Sequence, residues 1–275
     1  MKSTWRSLLP RYLILTAFML IVLIPVSSLV SSSFKTSTQV AESPFSLPTT
    51  FSLENFKQAW SVGHFNVYFK NSILVALAVV VVSVFLSILS GYAFALLPLP
   101  GRKWLYPLVI LGFLVPFEAV IIPLYNLIDL LHLRDTYWAL ILPQIGLSVS
   151  FGTLWMTSFF ENVPSELVDA ATIDGSGRWQ TLWKILWPIS MPAVTTMIVL
   201  IFVWTWNEFL LALVMVQNEA LRTLPVGLAF FQGKYTANIP LTAAGALIVA
   251  APTVLIYIFF QRFFIRGMLG GAVKE

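Results

Sequence analysis

The stretch ILVALAVVVVSVFLSILSGYAFALL, from Ile73 to Leu97, contains no Asp, Glu, Lys or Arg. A helix needs roughly 20 mostly apolar residues to cross about 30 Å of bilayer hydrocarbon. The stretch meets that length, so it predicts a membrane-spanning helix. The composition of the remaining sequence shows whether this helix stands alone or belongs to a bundle.

The chain as a whole is as apolar as this stretch suggests. Of its 275 residues, 58% are hydrophobic and only 10% are Asp, Glu, Lys or Arg, whereas soluble domains carry about 25% charged residues. The apolar runs are Tyr12–Val30, Ile73–Leu97, Leu105–Leu130, Thr136–Phe159, Ala193–Val216 and Pro240–Phe264. The sequence therefore predicts an all-α polytopic membrane protein with six transmembrane helices. The third run is the least regular, because three prolines and two acids interrupt it.

Residue content argues against several kinds of site. With no cysteine, the chain has no disulfide framework, thiolate metal site or cysteine nucleophile. It has no G-x-x-x-x-G-K-S/T run to hold ATP phosphates. Its two histidines, His64 and His132, lie in or near loops, and no H-E-x-x-H is present. We therefore expect no enzyme, metal or cofactor site, and the scattered net charge of +4 does not indicate nucleic-acid binding.

The distribution of Lys and Arg predicts the orientation of the six spans. A signal peptide is an alternative for the first run, but its apolar core exceeds the roughly 7–15 residues typical of one. Six spans place both termini on one side, and Lys and Arg accumulate on the cytoplasmic side. One side has ten such residues: Lys2, Arg6, Arg11, Arg102, Lys103, Arg178, Lys184, Arg262, Arg266 and Lys274. The other has six: Lys35, Lys57, Lys70, Arg134, Arg222 and Lys234. Both termini and the Ser165–Pro188 connection are therefore predicted to be cytoplasmic.

The longest external connection, from about Ser31 to Asn71, contains the pattern SLENFKQAW. Ser52 is a candidate N-cap for a helix that begins there. Leu53, Phe56 and Trp60 would share one face of that helix. The pattern predicts a short amphipathic helix with two possible roles, either an anchor in the membrane interface or a docking surface for a partner.

The cytoplasmic connection SELVDAATIDGSGRWQTLWKILWP, Ser165–Pro188, predicts two helices. Ser165 is expected to cap the first, and Gly175 to end it in the left-handed conformation. One apolar face of the second contains Trp179, Leu182, Trp183, Leu186 and Trp187. Pro188 is expected to close the second helix, which would lie against the bilayer or the bundle. The acids and the alanine pair of the first helix suit docking to a basic groove, and a solvated loop helix is the alternative.

This connection resembles the cytoplasmic E-A-A…G…I-x-L-P loop of the permease subunits of binding-protein-dependent ABC importers of the carbohydrate-uptake type. In sugar permeases the fuller pattern is similar to P-x-E-L-x-E-A-A-x-I-D-G-A. The matching residues are Pro164, Glu166, Leu167, Asp169, Ala170, Ala171, Ile173, Asp174, Gly175, Ile185 and Pro188. Asp169, Ser176 and Trp187 depart from the usual Glu, Ala and Leu. The segments Asn71–Ala95 and Ile122–Pro143 also resemble these permeases.

The resemblance implies a type I permease architecture in the bacterial inner membrane, with a second permease as heterodimer partner. It also implies two cytoplasmic ATP-binding subunits, an external substrate-binding protein, contact with lipid, and a sugar or sugar-like solute. ATP would be hydrolysed in the separate subunits. The implied boundaries are 1–70 for the first span and external segment, 71–264 for the core with its coupling loop 160–192, and 265–275 for a cytoplasmic tail. The residues expected to couple to the ATPase are Glu166, Asp169, Ala170, Ala171, Asp174 and Gly175.

Polar residues within the apolar runs are candidates for the translocation pathway. A charge at bilayer depth is costly and usually faces the bundle interior or an aqueous cavity. The candidates are Glu118, Trp206, Asn207 and Glu208, which combine polar groups with an aromatic ring. Hydrogen bonding between helices is the alternative role. A secondary carrier that uses Glu118 or Glu208 as a proton site is the rival function, and it predicts an internal repeat, of which the sequence shows no clear sign.

Overall fold

The computed structural model describes residues 5–49, 51–231 and 238–269, and every regular element in these ranges is helical. The helices are α1 Trp5–Ser33, α2 Ser37–Glu42, α3 Glu54–Val62, α4 Phe65–Leu96, α5 Arg102–Leu114, α6 Phe117–Leu130, α7 Trp138–Glu161, α8 Ser165–Ile173, α9 Arg178–Trp206, α10 Leu210–Met215, α11 Leu224–Gly227 and α12 Ile239–Leu269. Five are long and apolar enough to span a membrane, and α5 with α6 makes a sixth if that pair is one span. The predicted fold class is confirmed. Residues 270–275 of the predicted tail lie outside the described residues.

The third span is broken, which corrects the expectation of one helix over Leu105–Leu130. Helices α5 and α6 meet at an angle of 100°. Val115 between them is extended, with φ −69° and ψ 121°. A residue before proline is disfavoured in the helical region, and Pro116 has no N–H to continue the ladder. The break therefore follows from the Val115–Pro116 pair.

The fifth span also ends earlier than predicted, because α9 stops at Trp206 rather than continuing to Val216. Asn207 donates its side-chain amide to the Val203 carbonyl at 2.7 Å, a local bond that competes with helix continuation. The Glu208 carboxylate then accepts from the Leu211 amide at 2.6 Å and so caps α10. Two polar side chains thus produce a second discontinuity at bilayer depth.

The predicted helix end at Pro188 is wrong, because α9 runs through it. Residues Thr181–Leu186 form a π-helical turn, in which the Trp187 amide bonds to the Leu182 carbonyl. A proline inside an α-helix clashes with the carbonyl four residues earlier. The wider π turn shifts these carbonyls just before Pro188, so the helix continues from the Ser165–Pro188 connection into the fifth span.

The described chain divides into two compact units, of which the first is Met1–Asn66 with Gly227–Ala251. Within it, the Lys35 side chain is 1% exposed and its Nζ donates to the carbonyls of Ser43 and Pro44 at 3.0 and 3.1 Å. Asn55 donates its amide to the carbonyls of Ser33 and Lys35. These bonds satisfy the backbone of the segment that follows α1.

The predicted amphipathic helix is present as α3, Glu54–Val62. Leu53, rather than Ser52, occupies the N-cap position, and the Ser52 hydroxyl accepts from the Glu54 amide at 3.2 Å. Leu53 and Trp60 are exposed, whereas Ala59 is fully buried. The exposed positions of Leu53 and Trp60 fit either of the two predicted roles, a membrane-interface anchor or a docking surface, and the close-packed position belongs to Ala59.

The second unit, Val67–Val226 with Pro252–Glu275, has its core between α4, α7 and α9. Small residues allow these helices to approach closely, as is common inside membranes. A Cβ at Gly91 would lie 2.5 Å from the Met156 Cβ. The Ser90 and Thr153 hydroxyls are 2.6 Å apart, also between α4 and α7. The Trp155 indole donates to the Ala193 carbonyl at 3.0 Å and links α7 to α9.

A set of hydrogen bonds holds the segment that follows α10. Asp135 Oδ1 accepts from the Gln217 and Asn218 amides at 2.6 and 2.9 Å. Asn71 donates to the carbonyls of Ala220 and Arg222. The Asn218 amide, aided by that of Gln217, holds the pKa of the Asp135 carboxyl below its ordinary value. The ionised form of Asp135 is therefore favoured by folding.

We expect Asp135→Asn to lower the melting temperature at neutral pH. Because the folded pKa of Asp135 is depressed, its contribution is present above the unfolded value of about 3.9 and is lost as pH falls through the folded value. The difference from wild type, measured by thermal unfolding in detergent, should therefore shrink below about pH 4. A constant difference down to about pH 3 would show that the charge is not the cause.

Candidate functional site

Helix α8 ends in a complete Schellman motif. The Gly175 amide bonds to the Thr172 carbonyl at 3.1 Å, and the Ser176 amide bonds to the Ala171 carbonyl at 2.9 Å. Gly175 has φ +75°, the left-handed conformation predicted from the sequence. The N-cap position belongs to Pro164 and not to Ser165, which is the first helical residue. The last carbonyls of α8 are thus satisfied within the chain, and its end is defined.

The six candidate coupling residues do not share one face. Glu166, Asp169, Ala170, Asp174 and Gly175 are exposed. Ala171 is 3% exposed, and helix α8 contacts the π turn of α9. Ile173, by contrast, is 85% exposed. The outward surface of α8 therefore combines three carboxylates with an exposed isoleucine, and the alanine pair is divided between inside and outside.

The tryptophan-bearing half of the connection packs on its own bundle. Leu182 and Leu186 are fully buried in the core. The Trp183 ring stacks on Phe85 of α4 with ring centroids 6.2 Å apart. Trp179 remains 62% exposed. Of the two positions that the sequence left open for this helix, the buried leucines lie against the bundle, and Trp179 is on the exposed side.

A cleft of about 550 Å³ lies where the two helix breaks face each other. Its described lining consists of Phe113, Leu114, Val115, Pro116, Phe117, Glu118, Gln144, Leu147, Ser148, Phe151, Val203, Trp204, Thr205, Asn207 and Glu208. The α5–α6 break supplies one wall, and the end of α9 supplies the other. Discontinuous helices at membrane depth typically line a cavity, because their free backbone groups need polar surroundings.

The structure brings three of the four candidate pathway residues to this cleft: Glu118, Asn207 and Glu208. Trp206 is 2% exposed and packs on Phe69 and Phe202, outside the lining. Trp204 provides the tryptophan ring of the cleft instead. Trp204 and Trp206 are two residues apart on a helix, so they point in different directions.

Gln144 and Ser148 of α7 also line the cleft, and neither was among the pathway residues predicted from the sequence. Both are polar residues four apart in an apolar run, which places them on one helix face. That spacing was the available signal. Among the described residues, no cluster of His, Asp and Glu could hold a metal ion.

Residues 83–269 match the family model described as "Binding-protein-dependent transport system inner membrane component". The chain is 33% identical over 263 residues to the probable ABC transporter permease protein YurM of Bacillus subtilis (strain 168), with coverage of 96% of this chain and 87% of YurM. It is 34% identical over 258 residues to the arabinooligosaccharides transport system permease protein AraQ of Halalkalibacterium halodurans, with 92% of each chain covered. A crystal structure of a bacterial ABC transporter involved in the import of the acidic polysaccharide alginate has a chain of similar fold, with a TM-score of 0.80, 21% identity, and coverage of 93% of this chain and 95% of that chain.

Proposed function

Because this chain belongs to the family of binding-protein-dependent transport system inner membrane components, we propose that it is one of two permease subunits of an ATP-driven importer. Cytoplasmic ATP-binding subunits hydrolyse ATP, and an external binding protein delivers the solute. Closure of the ATPase pair moves the spans through α8. The single observation that supports this coupling most strongly is the defined, outward-facing end of α8 at Ile173–Gly175.

Helix α8 suits docking for two reasons. Its exposed surface is acidic, and the helix is short with a C-terminal end fixed by hydrogen bonds. Glu166, Asp169 and Asp174 are exposed, and these carboxylates complement a basic groove. The Schellman motif fixes Ile173 next to the turn at Gly175, so an apolar side chain can enter a pocket without loop ordering. Ala171 is buried, and α8 contacts the π turn of α9. A force on α8 therefore reaches the fifth span through one continuous helix.

The Gly175 conformation supplies a matched experiment on coupling. In Gly175→Val, a β-branched residue at φ +75° costs roughly 1–3 kcal/mol and distorts the end of α8. Gly177→Val is the control, because Gly177 has φ −71° and also has open space around it. We expect the first variant to lose about ten-fold or more of the ATPase stimulation by the binding protein in proteoliposomes. Equal activity of the two variants would contradict coupling through α8.

The proposed solute is a sugar or oligosaccharide, which passes through the cleft at Glu118, Asn207 and Glu208. Phe113, Phe117, Phe151 and Trp204 offer ring faces, and the carboxylates and amides offer hydrogen-bond acceptors and donors. This combination matches the apolar faces and hydroxyl groups of a sugar ring. AraQ, the arabinooligosaccharide permease relative, supports the same class of solute.

The orientation that fits this proposal places both termini and α8 in the cytoplasm, as the count of ten against six basic residues indicates. The proposed functional division is 1–70 for the first span and external segment, 71–264 for the core, and 265–275 for the tail.

The rival secondary carrier predicts uptake by this chain alone under a proton gradient. The importer predicts no uptake in that assay and uptake only with ATP and the partner subunits.

A further inference from the structure

The cleft has an unbalanced charge. Its described lining includes the carboxylates of Glu118 and Glu208 and no Lys, Arg or His. The remaining polar groups of that lining, Gln144, Ser148, Thr205 and Asn207, are uncharged. No lining cation therefore offsets the two acids.

The two carboxylates lie on opposite walls of the cleft, so a solute in the cleft is exposed to both charges. Glu118 is in the first turn of α6, beside the break at Pro116, and its side chain is exposed. Glu208 follows the end of α9 on the opposite wall, where its Oε1 is held by the Leu211 amide. Phe117 and Phe151 are among the apolar and aromatic residues that also line the cleft. Charges of one sign in a cleft with low-dielectric walls focus the field on any solute that enters.

On these grounds we infer that the cleft excludes anionic solutes and that the saccharide passing through it is neutral or cationic. A carboxylated, sulfonated or phosphorylated sugar would meet two like charges without a compensating cation from the described lining of the cleft. The hydroxyl groups of a neutral sugar can donate hydrogen bonds to both carboxylates. The charged ammonium group of an amino sugar would also be attracted by them. This inference rests on the proposed function of the cleft as the pathway.

The chain has no cysteine, so one introduced thiol can report the charge preference directly. Val115→Cys places the thiol in the cleft at a residue that is 43% exposed. The assembled importer in lipid nanodiscs is treated with a cationic (trimethylammonium-ethyl) or an anionic (sulfonato-ethyl) methanethiosulfonate reagent, and mass spectrometry of this chain gives each rate. Each rate is divided by the rate with a free thiol in solution.

We expect the normalised cation-to-anion rate ratio at Val115→Cys to exceed that of the free thiol by roughly five-fold or more. Adding Glu118→Gln and Glu208→Gln should return it close to the free-thiol value, while Glu42→Gln, which removes an exposed acid outside the cleft lining, should leave it unchanged. A ratio equal to that of the free thiol, or one insensitive to the double change, would overturn the inference. The labelling rates are measured without transport. A rate ratio equal to that of the free thiol would therefore not contradict coupling through α8. Equal activity of Gly175→Val and Gly177→Val would likewise not affect the labelling result.

Discussion

Replacing Ile173 by Asp is expected to abolish ATP-driven uptake by the assembled importer, whereas Ile173→Val should preserve it. Burying one isoleucine side chain in a partner contributes roughly 1.5–3 kcal/mol. An unpaired carboxylate in the same pocket adds a desolvation cost of several kcal/mol. Together these effects weaken docking by about 100-fold or more. Uptake of labelled solute into proteoliposomes and retention of the ATPase during purification are the two measurements.

Two features make Ile173→Asp a sharper test than a change at Ala171. Ile173 is 85% exposed, so Asp at this position disturbs no packing within the chain. Ala171 is 3% exposed, so Asp there would disrupt α8 itself and could not distinguish docking from folding. Gln180→Asp, which adds the same charge at another exposed residue, is the control. Normal uptake by the Ile173→Asp importer would contradict a docking role for this surface.

Gly91→Ala is expected to destabilise the second unit strongly. A Cβ at Gly91 would lie 2.5 Å from the Met156 Cβ and 2.9 Å from the Met156 carbonyl carbon. The backbone atom cannot move aside as a flexible side chain would, so α4 and α7 must separate. Overpacking of this kind costs about 1–3 kcal/mol or more. We expect the melting temperature of the purified complex to fall by at least about 5 °C.

Gly146→Ala is the matched control for this substitution. Gly146 lies within α7, and a Cβ there would have nothing within 4 Å. Alanine has the higher helix propensity, by about 1 kcal/mol, so this variant should be neutral or slightly more stable. If both variants melted at the wild-type temperature, the close approach of α4 and α7 at Gly91 would not be a determinant of stability.

Hydropathy predicts where helices lie better than where they bend. The run Ile73–Leu97 needs only length and the absence of charge, and α4 accordingly covers nearly all of it. The break at Val115 depends on one proline, and hydropathy averaged over a window does not register it. Pro188 shows the converse, because a π turn absorbs a proline that elsewhere would end the helix. Single prolines have opposite outcomes that depend on the neighbouring turns.

The residue types that line the cleft could be predicted from the sequence, but which side of each helix faces the cleft could not. Glu118, Asn207 and Glu208 stand out because polar groups are costly at bilayer depth, and all three line the cleft. Trp206 lies outside the cleft lining and Trp204 lies in it, because helix α9 turns its two tryptophans to different sides. Which side faces the cleft depends on how α9 packs against α4 and α7, and no local pattern encodes that arrangement.

Docking of an ATP-binding subunit on α8 is tested most directly by photocrosslinking from α8 in native membranes. Ile173→Cys supplies the only thiol of this chain, and a maleimide-benzophenone reagent attached to it reacts with whatever protein lies within about 10 Å of the thiol. We expect an adduct with a cytoplasmic ATP-binding subunit, identified by mass spectrometry, and no such adduct from Trp104→Cys in α5. Absence of any ATPase adduct at Ile173→Cys, in membranes that retain ATP-driven uptake, would contradict this docking.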